Sequence, residues 1–181
     1  MSVLCAASCV PVLIQQHIIN GSDAFNRSWA EYKVGFNDTR GNYWLGNDLL
    51  SQLTENGRYK LRFELQLRNL SWHWAEYSSF IVHSETTNYT MLVSGYSGNA
   101  GDALSDHNNM MFTTYDRDND RWTHVRPDYR NNCATFYDGG GFWYKGCALC
   151  RVNAVRRFHW EQPRPSYRSF HLQTSRMWLT C

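Results

Sequence analysis

The sequence has no run of about eighteen apolar residues, so no segment reads as a membrane-spanning helix. It also lacks an excess of charge of either sign. Lys+Arg 18 against Asp+Glu 16 leaves +2 at pH 7, a balance that excludes a nucleic-acid footprint. Charged residues make up only 19%, too few for a long-helix protein, whereas hydrophobic residues at 43% exclude intrinsic disorder. Internal repeats, low-complexity tracts and boundary-marking linkers are absent, so the 181 residues read as one compact domain. A G-x-S-x-G nucleophile elbow is missing, the seven histidines are dispersed without metal-site spacing, and no enzyme activity is expected.

What is present points outward from the cell. Five Asn-x-Ser/Thr sequons, at Asn20, Asn26, Asn37, Asn69 and Asn88, favour a secreted, glycosylated chain. The amino terminus gives no matching address: Val3 to Ile14 is apolar but interrupted by Cys5, Ser8, Cys9 and Pro11, and no Lys or Arg precedes it. The alternative is a chain whose true front is missing. Six cysteines leave bridged, redox and zinc states open, with Cys147-x-x-Cys150 as a redox pair or as half of a zinc site with Cys5 and Cys9. A redox pair wants a βαβ context, and none precedes Gly139-Gly140-Gly141.

Local patterns predict two short helices, one over Ser28–Val34 stopped by Gly35, and one over Leu49–Leu53 capped by Asn47 or Asp48 and ended by Asn56-Gly57. Tyr59 to Arg68 alternates strictly, with Tyr59, Leu61, Phe63, Leu65 and Leu67 on one side, the mark of a half-buried strand. Trp74–His83 and Tyr89–Ser94 complete a three-strand antiparallel meander. Residues 95–147 show neither period, and so long an irregular stretch needs disulfides or an ion to order it. Within it, Asp116, Asp118 and Asp120 alternate as hard oxygen ligands would. An EF-hand is rejected, because Arg121 and Pro127 fall where its Gly and Glu belong. The competing reading is a solvated acidic turn paired with Arg117, Arg121 or Arg126.

The segments Ala30–Phe36, Gly41–Asn47, Tyr59–Arg62, Gly95–Asp102, Phe112–Asp120, Asn132-Cys133-Ala134 and Gly141–Cys147 resemble, in order, the fibrinogen C-terminal (fibrinogen-related) domain family. The flavour is nearest to the invertebrate fibrinogen-related and ficolin-like lectins. The resemblance implies an α+β fold: a twisted antiparallel sheet with short helices over about 12–94, then a loop-rich half over about 95–181 that binds calcium and ligand. Residues 1–11 read as a non-family segment, and the family's first part is missing ahead of Val12. The implied Ca2+ ligands are Asp118 and Asp120 through carboxylates and Trp122 and His124 through backbone carbonyls, with Asp116 in support. Ahead of the pocket, Arg121–Asn132 is longer than the family's stretch. The family's pocket bridge falls on Cys133 and Cys147, and the pocket residues on Tyr137, Trp143, Tyr144, Cys147 and Ala148, where an apolar cage takes an acetyl methyl and backbone N–H groups take its carbonyl. Ala148 stands where acetyl-binding members commonly carry His. Cys150 and Cys181 are then expected to form a second bridge, leaving Cys5 and Cys9 unassigned. The expected function is a secreted, calcium-dependent lectin for acetylated or other glycans in innate recognition; the alternative is a protein-binding module of the extracellular matrix or of receptor signalling. Weak single-site binding in such lectins is overcome by clustering, so a homo-oligomer is a further expected partner.

Overall fold

A computed structural model describes residues 10–19, 23–123, 131–155, 158–162 and 168–181. Strict alternation builds the first strand: Lys60–Leu67 (β4) turns Leu61, Phe63 and Leu65 to one side, where all three are fully buried. Trp72–Val82 (β5) and Met91–Gly98 (β6) follow as antiparallel neighbours, so the expected meander is present with boundaries displaced by a few residues.

The centre of the sheet comes from the two ends of the chain. Val12–Ile18 (β1) pairs with Arg168–Thr180 (β9), which pairs on its other side with β4. Phe36–Asn37 (β2) and Tyr43–Trp44 (β3) extend the sheet beyond β1, giving the order β2-β3-β1-β9-β4-β5-β6. Cys150–Arg151 (β7) and His159–Gln162 (β8) pair with each other, and β8 pairs with the first part of β9. Polar residues on the core side hide β1 and β9 from a hydrophobic-period reading. Gln15 and Ser175 are fully buried, and Gln15 Nε2 donates to Ser175 Oγ (2.9 Å), Asn153 Oδ1 (3.0 Å) and the Val152 carbonyl (3.2 Å).

Two helices lie on the core side. Trp29–Val34 (α1) begins with a capping box, in which Ser28 accepts the Glu31 N–H and Glu31 accepts the Ser28 N–H. Asn47–Thr54 (α2) does not use the expected Asn47 or Asp48 cap. Gly46 holds the cap position at φ 106°, Asn47 Oδ1 accepts the Trp44 indole N–H instead (3.1 Å), and Asp48 accepts the Tyr89 hydroxyl.

The irregular half is ordered by aromatic burial. Trp143 lies 5.1 Å from Phe112, 6.1 Å from Trp44 and 6.3 Å from Phe80, and its indole N–H donates to the Tyr89 carbonyl (2.7 Å). The chain can approach this closely because of its glycines. A Cβ on Gly140 would stand 2.1 Å from the Asn153 carbonyl oxygen and one on Gly141 2.6 Å from the Tyr32 ring, whose hydroxyl accepts the Gly141 N–H.

Cys133 and Cys147 are bridged, with Cα atoms 5.4 Å apart. The expected Cys150–Cys181 bridge is not formed. Cys150 is a buried free thiol, whereas Cys181 is disulfide-bonded. Topology explains the difference. Cys150 pairs in register with Trp160 and Trp160 with Phe170, and the eleven positions of extended chain from Phe170 to Cys181 (181 − 170) cover roughly 35 Å, far beyond disulfide reach. Burial also pushes the Cys150 thiol well above its ordinary pKa. Alkylation without reductant is expected to leave Cys150 unlabelled in the native protein and to label it after unfolding; a Cys150–Cys181 crosslinked peptide in the digest would overturn the assignment.

Candidate functional site

The acidic loop is stitched to its surroundings by backbone donors. Asp116 Oδ1 accepts the Trp29 N–H at the start of α1 (2.9 Å) and the Thr114 hydroxyl (2.7 Å), so its carboxylate ties the acidic loop to the first turn of that helix. Asp118 Oδ1 accepts the Asp120 N–H (3.2 Å). Asp120 accepts the Trp122 N–H through one oxygen and the Cys133 N–H through the other, both at 2.7 Å, which ties the loop to Cys133–Phe136 (α3) and to the bridge. Burial, with the Asp118 charge alongside, pushes the Asp120 carboxyl up to about 6. Adjacent carboxylates that penalise each other's charge, with a carbonyl two residues on, form a hard-oxygen set that suits calcium. No group of three His, Cys, Asp or Glu side chains converges among the described residues, so carbonyls would have to complete the shell. Of the four expected ligands Asp118, Asp120 and Trp122 are described; His124 lies outside the described residues.

A cleft of about 590 Å³ opens beside the bridge, lined by Tyr137, Cys147 and Ala148 among the expected residues and by Arg121, Lys145 and Arg151 among unexpected ones. Trp143 and Tyr144 do not line it. Both are fully buried: Trp143 belongs to the core cluster, and Tyr144 donates its hydroxyl to the Gly140 carbonyl (2.6 Å) with its ring 5.6 Å from Tyr137. The aromatic cage thus reduces to Tyr137, over whose ring the Arg151 guanidinium lies at 5.4 Å while pairing with Glu161. Lys145 pairs with Asp106 (2.7 Å), but the exposed Arg121 side chain has no partner among the described residues. Its backbone N–H donates to the Lys145 carbonyl (2.7 Å), so the acidic loop and the cleft wall share a strand-like contact. Among the described residues the backbone N–H groups of Cys147 and Ala148 make no hydrogen bond, which leaves adjacent donors on residues that line the cleft.

The far wall is pinned by two buried histidines that no sequence spacing marked. His107 Nδ1 donates to the Trp143 carbonyl (2.7 Å), and Nε2 accepts the N–H groups of Leu149 (3.2 Å) and Cys150 (3.1 Å). His17 Nδ1 bonds the Val152 carbonyl (2.9 Å), its ring between Phe25 and Phe158. Burial lowers both to about 4.

The sequons are placed unequally. Asn26, Asn37 and Asn69 are exposed, whereas the half-buried Asn88 carboxamide is engaged, its Oδ1 by Arg117 (2.7 Å) and its Nδ2 against Met111 Sδ (3.2 Å). Asn20 lies outside the described residues.

Comparison with known proteins agrees with this architecture. The family described as fibrinogen beta and gamma chains, C-terminal globular domain, matches residues 6–168. Fibrinogen-like protein A of Apostichopus parvimensis is 40% identical over 140 residues, covering 76% of this chain and 47% of its own length. The fibrinogen-like globe domain of human ANGPTL2 superposes with a TM-score of 0.79 at 35% identity, covering 94% of this chain and 79% of that one. Lamprey fibrin D-dimer, solved with the peptide Gly-His-Arg-Pro-amide, gives a TM-score of 0.71 at 25% identity, covering 92% and 60%. The chain belongs to the fibrinogen C-terminal globular domain family, and it spans less than half the length of the curated relatives it matches.

Two outcomes are expected. Because His17 and His107 are neutral when folded, each contributes stability that is full above about pH 6.5 and is lost as pH falls towards 4; protonation of Asp120, whose folded pKa is raised, offsets one of them over the same window. From these three groups alone the unfolding free energy of calcium-free protein should fall by roughly 1 kcal/mol per pH unit over this window. Urea titrations from pH 7 to 4 measure it, and a flat profile would contradict the buried-neutral assignment. Asp116→Ala should cost about 1–2 kcal/mol equally with and without calcium; a loss confined to calcium-loaded protein would make Asp116 a ligand.

Proposed function

We propose that the chain is an extracellular recognition module that binds acetylated glycans in the cleft beside Cys133–Cys147, assisted by calcium at the adjacent loop. The observation that carries this reading is the pair of unpartnered N–H groups on Cys147 and Ala148. An acetyl carbonyl needs preorganised donors of this kind, and its methyl can rest on Tyr137 and Leu149, which also line the cleft. The free guanidinium of Arg121 favours an acetylated sugar that also carries a carboxylate.

Asp118 and Asp120 would hold calcium with the Trp122 carbonyl. When bound, the ion supplies positive charge that neutralises the two carboxylates. The residues between loop and cleft then matter, since Arg121 follows Asp120 directly and its N–H fixes Lys145. N-glycosylation is assigned to the exposed Asn26, Asn37 and Asn69, with Asn88 spared because its amide is already engaged.

A protein-binding module is the second reading, favoured by the peptide bound in the lamprey relative. The unpaired cation in this cleft disfavours a similarly basic peptide here.

Retention on immobilised N-acetylglucosamine with calcium and release by EDTA are expected. Asp118→Ala combined with Asp120→Ala should abolish the calcium-dependent rise in Tm. Failure to bind any acetylated ligand while binding acidic peptides would transfer the site to the second reading.

A further inference from the structure

The face of the sheet turned away from the core carries a second concavity. Trp72 and Trp74 on β5, Arg62 and Glu64 on β4, and Arg176 and Trp178 on β9 alternate with the buried residues of their strands, so all project to the same outer side. Register brings them together: Glu64 lies opposite both Trp74 and Arg176, and Arg62 opposite Trp178. Five of them, all but Trp178, line a groove of about 280 Å³, at the small end of ligand-pocket sizes.

The groove is aromatic, and its guanidiniums are engaged by neighbouring side chains. The Arg62 guanidinium lies 4.8 Å from the Trp74 ring centre and the Arg176 guanidinium 5.5 Å from that of Trp72, which holds each indole from one face. Trp72 nevertheless remains 46% exposed, so a large apolar plane stays open to solvent. Arg62 is within 3.8 Å of Glu64 and 3.5 Å of Glu76, Arg176 donates to Gln16 Oε1 (2.8 Å), and the Trp178 indole N–H donates to Glu64 (3.2 Å). Arg62 is matched by Glu64 and Glu76 and the Arg176 guanidinium is engaged by Gln16, so neither guanidinium of the groove is left open to select an anion; His73 also lines the groove. The polar groups interrupt the apolar area too often for a hydrophobic protein partner. Flat indoles ringed by balanced donors and acceptors complement a molecule with apolar C–H faces and uncharged hydroxyl edges.

We propose that this outer groove is a second glycan-binding site, one that seats a neutral, unacetylated pyranose of an oligosaccharide against Trp72, with its hydroxyl groups on Glu64 and Arg176. It is independent of the cleft beside the disulfide, from which it differs in element, charge and donor type.

The test is a titration of tryptophan emission with cellohexaose and with mannohexaose, which carry neither acetyl nor charge, with EDTA present throughout so that the calcium-assisted cleft does not contribute. A saturable change with either sugar is expected, at least about tenfold weaker in Trp72→Ala and within about threefold of wild type in Trp72→Phe, with unchanged near-UV circular dichroism in both variants. No saturable change with either sugar, equal binding by Trp72→Ala, or displacement by a heparin hexasaccharide in preference to the neutral sugars would overturn the proposal. N-acetylglucosamine retention of the Trp72→Ala protein reports on the cleft separately.

Discussion

The contact of Trp143 with Phe112 and Trp44 holds the two halves of this domain together. Trp44 belongs to a short strand at one side of the sheet, Phe112 to the chain leading into the acidic loop, and Trp143 to the segment that runs into the bridge. An irregular stretch of some fifty residues has little regular hydrogen bonding to define it, so its position is set by what it buries. Once Trp143 is inserted and its indole N–H is satisfied by the Tyr89 carbonyl, neighbouring residues have few choices. Its own carbonyl receives His107, whose other nitrogen holds Leu149 and Cys150, and the cleft wall follows. The cost of a buried, unpaired imidazole or carbonyl makes this chain of contacts cooperative.

The same logic accounts for what could and could not be read from residues alone. The meander was legible because Leu61, Phe63 and Leu65 alternate with charged neighbours, and α1 because Ser28 and Glu31 form a capping box. The place of β9 was not legible, since Ser175 and Gln15 face the core as polar residues whose partners are 160 positions apart. The Cys150 assignment failed for the same reason: without the register of β8 on β9, nothing separates Cys150 from Cys181. Family resemblance named Tyr137, Cys147 and Ala148, and these three line the cleft. It could not show that Trp143 and Tyr144 turn inward, because Phe142-Trp143-Tyr144 has no period from which a face can be deduced. Arg121 and Lys145 carried no signal beyond proximity to the acidic run and to the second cysteine.

Electrostatics then separate the cleft from the loop beside it. The loop gathers negative charge that burial makes costly, as the raised Asp120 carboxyl shows, while the cleft gathers cations, of which Arg121 has no counter-charge among the described residues. The Arg121 N–H to Lys145 carbonyl contact joins the two regions, so a cation held by the loop would steady the cleft wall without sharing a ligand with the sugar.

In the proposed complex the Cys147 and Ala148 amides donate to an acetyl carbonyl. Amide chemical-shift mapping of isotopically labelled protein with calcium and N-acetylglucosamine reads these donors one by one. Saturable downfield shifts of the Cys147 and Ala148 N–H resonances are expected, with the buried Trp143 indole N–H unmoved. Shifts confined to other residues, or none at saturating sugar, would contradict that placement.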